Sequence, residues 1–250
     1  MTSGSPGRLI ILFAIPLMLG NICQQLYTMV DTMVVGQIAG VEALAALGAV
    51  DFLMWVVTGI STGLTQGFSI QLSQYYGAKD FENLRKSLAH SYRLTAFIAA
   101  GGLILSQSFA SLVLTGLHTP SNIIGMSLLY LRIIFCGIPA TAAYNMFASA
   151  LRAMGNSKTP LTAMIIASVL NVSLDILFVA GFGWGVAGAA IATVIAQSFS
   201  AVYCFLILRR IDIVHLTRAD FMPASGMNAR LMKLGIPVVF QNIIIGVGGL

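Results

Sequence analysis

Long apolar runs separated by short polar segments dominate this chain of 250 residues. Because a helix needs about 20 mainly apolar residues to cross a bilayer, each run of that length predicts a membrane span. The pattern predicts six spans, at residues 10–36, 44–76, 88–115, 123–151, 159–180 and 185–208, and a seventh that begins at about residue 231. The chain is therefore expected to be an all-α polytopic membrane protein with the lipid bilayer as its solvent.

The composition fits this interpretation, because 58% of the residues are hydrophobic and only 8% are charged. A soluble domain carries about 25% charged residues. The basic residues fall at or near alternate loops, and they are Arg8, then Lys79, Arg85, Lys86 and Arg93, then Arg152 and Lys158, then Arg209, Arg210, Arg218, Arg230 and Lys233. By the positive-inside rule, the N-terminus is cytoplasmic and the first, third and fifth spans run outward across a plasma or inner membrane. The net charge of +5 thus indicates orientation and not nucleic-acid binding.

Two carboxylates lie inside these apolar runs, Asp31 in the first span and Asp175 in the fifth. An ionisable side chain in a span is costly and by default marks an ion or substrate pathway. Each acid precedes the outer end of its span by five or six residues, so at about 1.5 Å of rise per residue both lie roughly 7 to 9 Å from the outer face. The pattern predicts that they face one cavity. Asp51 and Arg132 are further charges inside spans, where they could pair with each other, and the sequence assigns them no role.

Other polar side chains recur at steps of three and four residues, which places them in stripes along single helix faces. The stripes are Asn21, Gln24, Gln25, Thr28, Asp31 and Thr32; Thr58, Thr62, Thr65, Gln66, Ser69 and Ser73; Thr141, Asn145 and Ser149; Ser168, Asn171 and Asp175; and Thr193, Gln197 and Ser200. Such stripes either line a cavity or hydrogen-bond neighbouring helices. We expect the serines and threonines mainly to bond neighbouring helices and the acid-bearing stripes to form a pathway.

The oxygen-bearing groups on these stripes suit a small cation. Asn171 and Asp175 are four residues apart and share a helix face. A buried carboxylate can load a proton, and carboxylate and amide oxygens also coordinate hard cations such as sodium, so the sequence leaves both ions open. The three cysteines lie singly in different spans, without the spacing of a metal site, so neither a transition metal nor an organic cofactor is expected.

Glycine and proline positions predict close packing and bends. The ridge formed by Gly59, Gly63 and Gly67 has only small residues and lets another helix approach closely. Pro16 and Pro139 lie inside spans, where each frees a backbone carbonyl and favours a kink.

The start of the chain recurs near its end at a constant offset of 221 residues. Ala14-Ile15-Pro16 with Asn21-Ile22 reappears as Gly235-Ile236-Pro237 with Asn242-Ile243. Six spans followed by a repeat on the same side of the membrane predict a parallel repeat of two lobes. We therefore expect a six-helix N-terminal lobe at 1–208, a cytoplasmic inter-lobe loop at 209–230 and the truncated first helix of a second lobe at 231–250, within a protein about twice as long.

Several short motifs, taken in order, resemble those of the multidrug and toxic compound extrusion (MATE) transporters and of their DinF-like branch. They are Ala14-Ile15-Pro16 with Gln24, Leu26-Tyr27 and Asp31; Gly77-Ala78-Lys79-Asp80; Leu151-Arg152 with Gly155; and Leu170-Asn171 to Asp175, followed by Gly181-Phe182-Gly183 and Gly188-Ala189-Ala190. The resemblance covers essentially the whole chain. It implies the first six-helix lobe of a two-lobe, 12-helix transporter, together with the start of the seventh helix.

The resemblance also implies a function and a set of site residues. A transporter of this kind exports cationic or amphipathic drugs and toxic compounds as an antiporter, driven by a proton or sodium gradient, and its partners are a small organic cation and the missing second lobe. The positions that match the family's cation-linked network are Asp31, Asn171 and Asp175. Further polar positions that match its surroundings are Gln24, Tyr27, Asn145 and Thr193. Pro16 matches a proline around which the first helix is expected to bend.

Three alternatives remain at this stage. A lipid or polysaccharide-precursor flippase of the same superfamily would share the hydropathy, but a phosphorylated substrate calls for a more cationic cavity. A non-functional truncated half or a structural subunit would not need inward-facing acids. A membrane-embedded enzyme would need a catalytic pair or a metal cluster, and since the sequence shows neither spacing, the chain is not expected to be an enzyme.

Overall fold

The computed structural model describes residues 6–222 and 226–247. They form eight α-helices and, within these ranges, no β-strand. The helices are α1 Pro6–Val34, α2 Val41–Gly77, α3 Phe81–Gly116, α4 Ile124–Cys136, α5 Ile138–Ala153, α6 Lys158–Asp175, α7 Gly185–Arg209 and α8 Met227–Val247. Two of them continue into π-helical turns, α1 into Val35–Ala39 and α6 into Ile176–Gly181. The predicted all-α architecture is confirmed.

The helices coincide with the predicted spans. Among the described residues, α2, α3, α7 and the combination of α6 with its π-helical turn are each long and apolar enough to cross a membrane, and α4 with α5 forms a fifth, broken span. The first predicted span falls on α1, which is 29 residues long and therefore about 44 Å in length. The seventh predicted span falls on α8, which begins at Met227, four residues earlier than the sequence suggested.

The fourth span is bent by 45° between α4 and α5. Pro139 occupies the first turn of α5, where it removes a backbone donor, and Gly137 lies at the junction. A Cβ atom at Gly137 would lie 2.7 Å from Val194 Cγ2 of α7, so the bend brings the two helices into close contact. The kink predicted from Pro139 is confirmed.

Helix α1 packs mainly against α6, and α6 packs on α7, which in turn contacts α4 and α5. Helix α2 packs against α3, α5 and α8. Many large apolar side chains point away from these contacts; for example, Phe97 is 71% exposed and Leu112 67% exposed. An apolar surface on this scale is suited to acyl chains and not to water.

The turn between α2 and α3 explains one of the sequence motifs. Lys79 adopts a positive φ of 58°, and Asp80 caps α3 by accepting a hydrogen bond from the backbone N–H of Asn83. Hydrogen bonds from the side chain and the backbone of Asn83 hold the pKa of the Asp80 carboxyl below its usual range. The motif therefore forms a sharp turn with its own helix cap.

The glycine ridge of α2 contacts α8. A Cβ atom at Gly63 would lie 2.7 Å from the Cα atom of Val239, and one at Gly67 would overlap the backbone of Gly235. Glycine at these two positions lets the helix backbones touch, as predicted from the sequence, although nothing lies within 4 Å of the third ridge residue, Gly59. Pro16 and Pro237 each lie inside a helix, α1 and α8 respectively.

The segment between α7 and α8 is docked onto the N-terminal part of α3. Asp220 is buried, accepts hydrogen bonds from the backbone N–H and hydroxyl of Thr217, and lies 3.9 Å from Arg85. Arg93 donates to the carbonyl oxygen of Phe221. The ring of the buried His90 contacts the Met222 carbonyl oxygen and the Asn228 side chain, at 3.1 and 2.7 Å.

Replacing Asp220 by alanine is expected to loosen this segment. The change leaves two donors of Thr217 without their acceptor, which costs about 1 kcal/mol and makes local opening about fivefold more frequent. Limited proteolysis of the purified chain between residues 209 and 226 measures the effect. Asp212→Ala removes an exposed acid from the same segment, and cleavage should stay at the wild-type rate. Equal cleavage of both variants would contradict a docking role for Asp220.

Candidate functional site

Asp31 and Asp175 lie side by side inside the lobe. Asp31 is 7% exposed and Asp175 is fully buried. The packing of α1 against α6 brings their carboxyl groups next to each other. Two adjacent carboxyl groups repel each other when both are ionised.

Both acid-bearing helices lose their regular geometry beside the pair. Asp175 is the last α-helical residue before the π-helical turn at Ile176–Gly181, and Asp31 lies four residues before the turn at Val35–Ala39. The two turns contact each other. A π-helical turn widens the backbone and often marks a functional site. The hydrophobicity pattern of the sequence gives no signal for these turns.

Four oxygen atoms around the pair are buried without any hydrogen-bond partner. They are Asp31 Oδ1, Asn171 Oδ1, Asp175 Oδ1 and Asp175 Oδ2. The Asn171 amide donates through Nδ2 to the Thr193 hydroxyl at 3.3 Å, which leaves its oxygen free. Within the part of the chain that the structure describes, no ion pair reaches either acid. Unpaired buried acceptors are costly, and carboxylate and amide oxygens are of the type that hard cations prefer as ligands.

A cleft opens between α1, α5, α6 and α7, with an empty volume of about 380 Å³ that includes space open to the surroundings. Its lining residues are Gln24, Tyr27, Tyr144, Met164, Ala167, Ser168, Asn171, Thr193, Ala196, Gln197 and Ser200. Asn171 belongs both to this lining and to the oxygen cluster, so the cleft and the acid pair are adjacent.

The structure places four of the seven matched polar positions on the cleft wall, namely Gln24, Tyr27, Asn171 and Thr193. Asn145 lies elsewhere, because its amide donates to the Thr62 hydroxyl of α2 at 3.2 Å. Tyr144 lines the cleft and was not singled out from the sequence. Its position next to Asn145 in a polar stripe of the fourth span was the available signal.

The serines and threonines of the stripes mostly bond to their own helices. Thr28, Thr65 and Ser168, for example, donate to the carbonyl oxygens of residues four positions earlier. A hydroxyl can reach the preceding helical turn without help from a neighbour, which is why the expected bonds to neighbouring helices are few. One stripe hydroxyl that does reach a neighbouring helix is that of Ser200 in α7, which donates to the Ala163 carbonyl oxygen of α6 at 3.5 Å.

The structure also locates the two other charged residues of the spans and the proline of the first span. Asp51 and Arg132 are exposed and form no ion pair with each other. The pairing that the sequence allowed is therefore absent. Pro16 lies within α1, which continues as a helix on both sides of it.

These features define a polytopic α-helical membrane protein with a buried acid pair beside a cleft that has polar lining residues. The sequence matches the MatE family over residues 16–177, and the chain belongs to this family.

Relatives agree in sequence and fold. The chain is 33% identical over 248 residues to the probable multidrug resistance protein YpnP of Bacillus subtilis (strain 168), covering 98% of this chain and 55% of that protein. It is 29% identical over 242 residues to the probable multidrug resistance protein YoeA of the same organism, covering 94% and 52%. A crystal structure of MATE in the bent conformation matches with a TM-score of 0.91 at 25% identity, covering 98% and 55%. The chain thus spans about half the length of the relatives it matches.

Proposed function

We propose that this chain provides the cation-binding lobe of an antiporter that exports cationic or amphipathic compounds by alternating access. The observation that carries the proposal is the cluster of four buried, unpaired oxygen atoms on Asp31, Asn171 and Asp175. A permanent basic partner would make such a cluster structural, and no ion pair reaches it among the described residues. A site that is costly when empty and favourable when occupied is suited to coupling.

The coupling ion in this proposal is a proton or a sodium ion. Shared between Asp31 and Asp175, a proton relieves the repulsion of two adjacent carboxylates. Sodium would use the Asn171 oxygen as well, because hard cations prefer several oxygen ligands. Moving one charge inward through 100 mV releases about 2.3 kcal/mol. That energy sustains roughly a fortyfold gradient of exported substrate, at about 1.4 kcal/mol per tenfold change.

In this proposal the cleft receives the substrate, and Gln24, Tyr27 and Thr193 contact it. Arrival of the cation from outside neutralises the acid pair and lowers the affinity of the cleft for a cationic substrate. Rearrangement of α1 around Pro16 then opens the outer side. Asn145 acts indirectly through its bond to Thr62. The basic residues at alternate loops support an inner-membrane protein with a cytoplasmic N-terminus.

The proposed second lobe would begin with α8. Residues 1–208 would then form the first lobe, 209–230 the cytoplasmic connection, and 231–250 the start of the second lobe. In that arrangement, the contact of Gly63 and Gly67 with α8 joins the two lobes on the cytoplasmic side and must open when substrate enters from inside.

Replacing Asp31 by asparagine tests the proposal. The substitution keeps the shape of the side chain but removes a negative charge and an oxygen ligand, so gradient-driven efflux of a cationic dye should fall at least tenfold. Efflux is measured from cells that express the chain, with proton and sodium gradients imposed separately to identify the coupling ion.

Asp212→Asn is the matched control, because it makes the same chemical change at an exposed acid of the segment between α7 and α8. Its efflux should stay within twofold of wild type, with equal membrane insertion of both variants. Undiminished efflux by Asp31→Asn would reject the acid pair as the coupling site.

A further inference from the structure

Three aromatic rings stack on one another at the connection between α6 and α7. The centroid of the Trp184 ring lies 5.2 Å from that of Phe178 and 5.3 Å from that of Phe182. The centroids of the two phenylalanine rings are 6.0 Å apart, and the interplanar angles of the three pairs lie between 24° and 48°. These distances are typical of stacked aromatic pairs. Each ring contacts both of the others, and we call the three residues the aromatic cluster.

Glycines around the aromatic cluster make this stacking possible. Gly183 and Gly185 have positive φ angles of 70° and 52°, which let the chain reverse within a few residues. A Cβ atom at Gly188 would lie 2.9 Å from the Cβ atom of Phe178 and 3.2 Å from that of Trp184. The backbone N–H of Trp184 also donates to the Phe178 carbonyl oxygen at 2.9 Å. The cluster is therefore specified by the local sequence.

The aromatic cluster lies at the end of the lobe where both acid-bearing helices finish. Phe178 belongs to the π-helical turn that follows Asp175. Ala39 ends the other π-helical turn, and its Cβ atom is 3.9 Å from the position of a Cβ atom at Gly185. Helix α7, which begins directly after the cluster, contacts both turns. The position of the cluster is thus linked to the positions of both turns.

Two rings of the cluster are open to the surroundings of the protein. Phe182 is 55% exposed and Trp184 is 50% exposed. They lie in the three-residue connection between Lys158–Gly181 and Gly185–Arg209, each of which is long and apolar enough to cross a membrane. The connection contains no charged residue. Because the chain reverses between two spans here, the exposed rings lie at a membrane surface.

The membrane–water interface suits these exposed rings. An indole ring combines a large apolar surface with one N–H donor, and tryptophan is enriched at headgroup depth. The exposed side chains of Ile176 and Leu177, on the π-helical turn before the connection, continue the lipid-facing surface of the spans up to the cluster. A site for an organic cation would need a free ring face, whereas the rings of Phe178 and Trp184 are stacked against each other.

We infer that the aromatic cluster is an interfacial anchor that places Phe182 and Trp184 in the phospholipid headgroup layer and so fixes the depth of both π-helical turns in the membrane. The partner is the glycerol and headgroup layer of one leaflet. The inference requires that the chain crosses the membrane, but it does not require antiport. The anchor and the proposed function can therefore fail independently.

Fluorescence quenching tests this inference, because the chain contains only two tryptophans, Trp55 and Trp184. In the variant Trp55→Phe, Trp184 is the single indole fluorophore. The purified variant is placed in phosphatidylcholine vesicles that carry a nitroxide either near the glycerol backbone or near the end of the acyl chain. The nitroxide near the glycerol backbone should quench Trp184 about threefold more strongly than the other, because the anchor holds the ring at headgroup depth.

Trp184→Phe provides the matched reference, because it leaves Trp55 as the single fluorophore. Trp55 lies 14 residues after the first residue of α2 (55 − 41), which is about 21 Å along the helix. Its ratio of glycerol-level to acyl-end quenching should be clearly lower than that of Trp184. Equal ratios would overturn the anchor. Quenching of Trp184 by aqueous iodide alone would mean that water covers the ring, and protection from every quencher would mean that another protein surface does; either result overturns the anchor.

A second variant tests whether the stacking holds Trp184 at its depth. Phe182→Leu, made together with Trp55→Phe, keeps an apolar side chain but removes a ring that Trp184 stacks on. The preference of Trp184 for the glycerol-level nitroxide should fall about twofold as the indole loses its fixed position. Phe109→Leu makes the same change at a half-exposed phenylalanine of α3 and should leave the quenching profile unchanged. Identical profiles of the two variants would show that the stacked rings do not act as one anchor.

Discussion

Replacing Gly67 by alanine is expected to destabilise the chain by about 1 to 3 kcal/mol, the usual cost of inserting a methyl group into a fully packed contact. The new Cβ atom would overlap the backbone of Gly235 and lie 2.7 Å from the Leu234 carbonyl oxygen. A backbone cannot rotate away as a side chain can, so α2 and α8 must separate. Thermal unfolding of the purified chain measures the loss, at about 2 to 4 °C per kcal/mol for a chain of this size.

Glycine-to-alanine substitution elsewhere on α2 should raise the stability of the chain instead of lowering it. Nothing lies within 4 Å of the Cβ position of Gly59, so Gly59→Ala should stabilise the helix by about 0.5 to 1 kcal/mol through backbone entropy. The melting temperature of Gly235→Ala should lie between those of Gly67→Ala and Gly59→Ala. Its Cβ atom would lie 3.0 and 3.2 Å from the side-chain ends of Leu64 and Phe68, which can move. If Gly67→Ala melted at or above the temperature of Gly59→Ala, the close contact between α2 and α8 would be refuted.

The helices were predicted well from the sequence because the membrane places a simple requirement on any segment that crosses it. Every backbone polar group in a bilayer must be paired within its own segment, so apolar length alone identifies a span. The bend between α4 and α5 followed from Pro139, whose missing donor has a purely local effect. Helix ends were predicted less accurately, since α8 begins at Met227, four residues before the apolar run starts.

Partners across the fold were harder to predict than positions along it. The glycine ridge of α2 indicated close packing against another helix, but no local property of Gly63 or Gly67 identifies α8 as that helix. Asp31 and Asp175 were expected to lie at one depth, and depth does not establish contact. Their meeting depends on the packing of α1 against α6 and on two π-helical turns. A π-helical turn adds one residue to a helical turn and leaves no distinct hydrophobic pattern.

Tyr144 shows the same limit at the cleft, because a tyrosine within an apolar run gives no sign that it lines a cleft. Asn145 is the reverse case. Its place in a polar stripe suggested the cavity, yet its amide is occupied by Thr62.

Replacing Asp175 by asparagine is expected to stabilise the empty lobe while removing its response to cations. Two adjacent carboxylates at about 4 Å repel each other by about 4 kcal/mol at an effective dielectric constant of 20. Asp175 is fully buried, and both its oxygens lack hydrogen-bond partners. Asparagine keeps the shape, adds donors and removes the charge. The melting temperature at alkaline pH without sodium should therefore rise by roughly 5 °C or more above that of the wild-type chain.

The response to ligand identifies the cause of this stabilisation. The wild-type chain should gain stability when the pH falls or when sodium is added, because either cation removes the repulsion between Asp31 and Asp175 and binds only the folded state. In Asp175→Asn, that dependence should be at least halved. Asp212→Asn, which removes the charge of an exposed acid, should keep the wild-type dependence. Melting curves recorded with sodium or choline at two pH values provide the comparison. If the melting temperature of the wild-type chain changed neither with pH nor with sodium, repulsion between the acids would not limit its stability. The coupling proposal would then lose its physical basis.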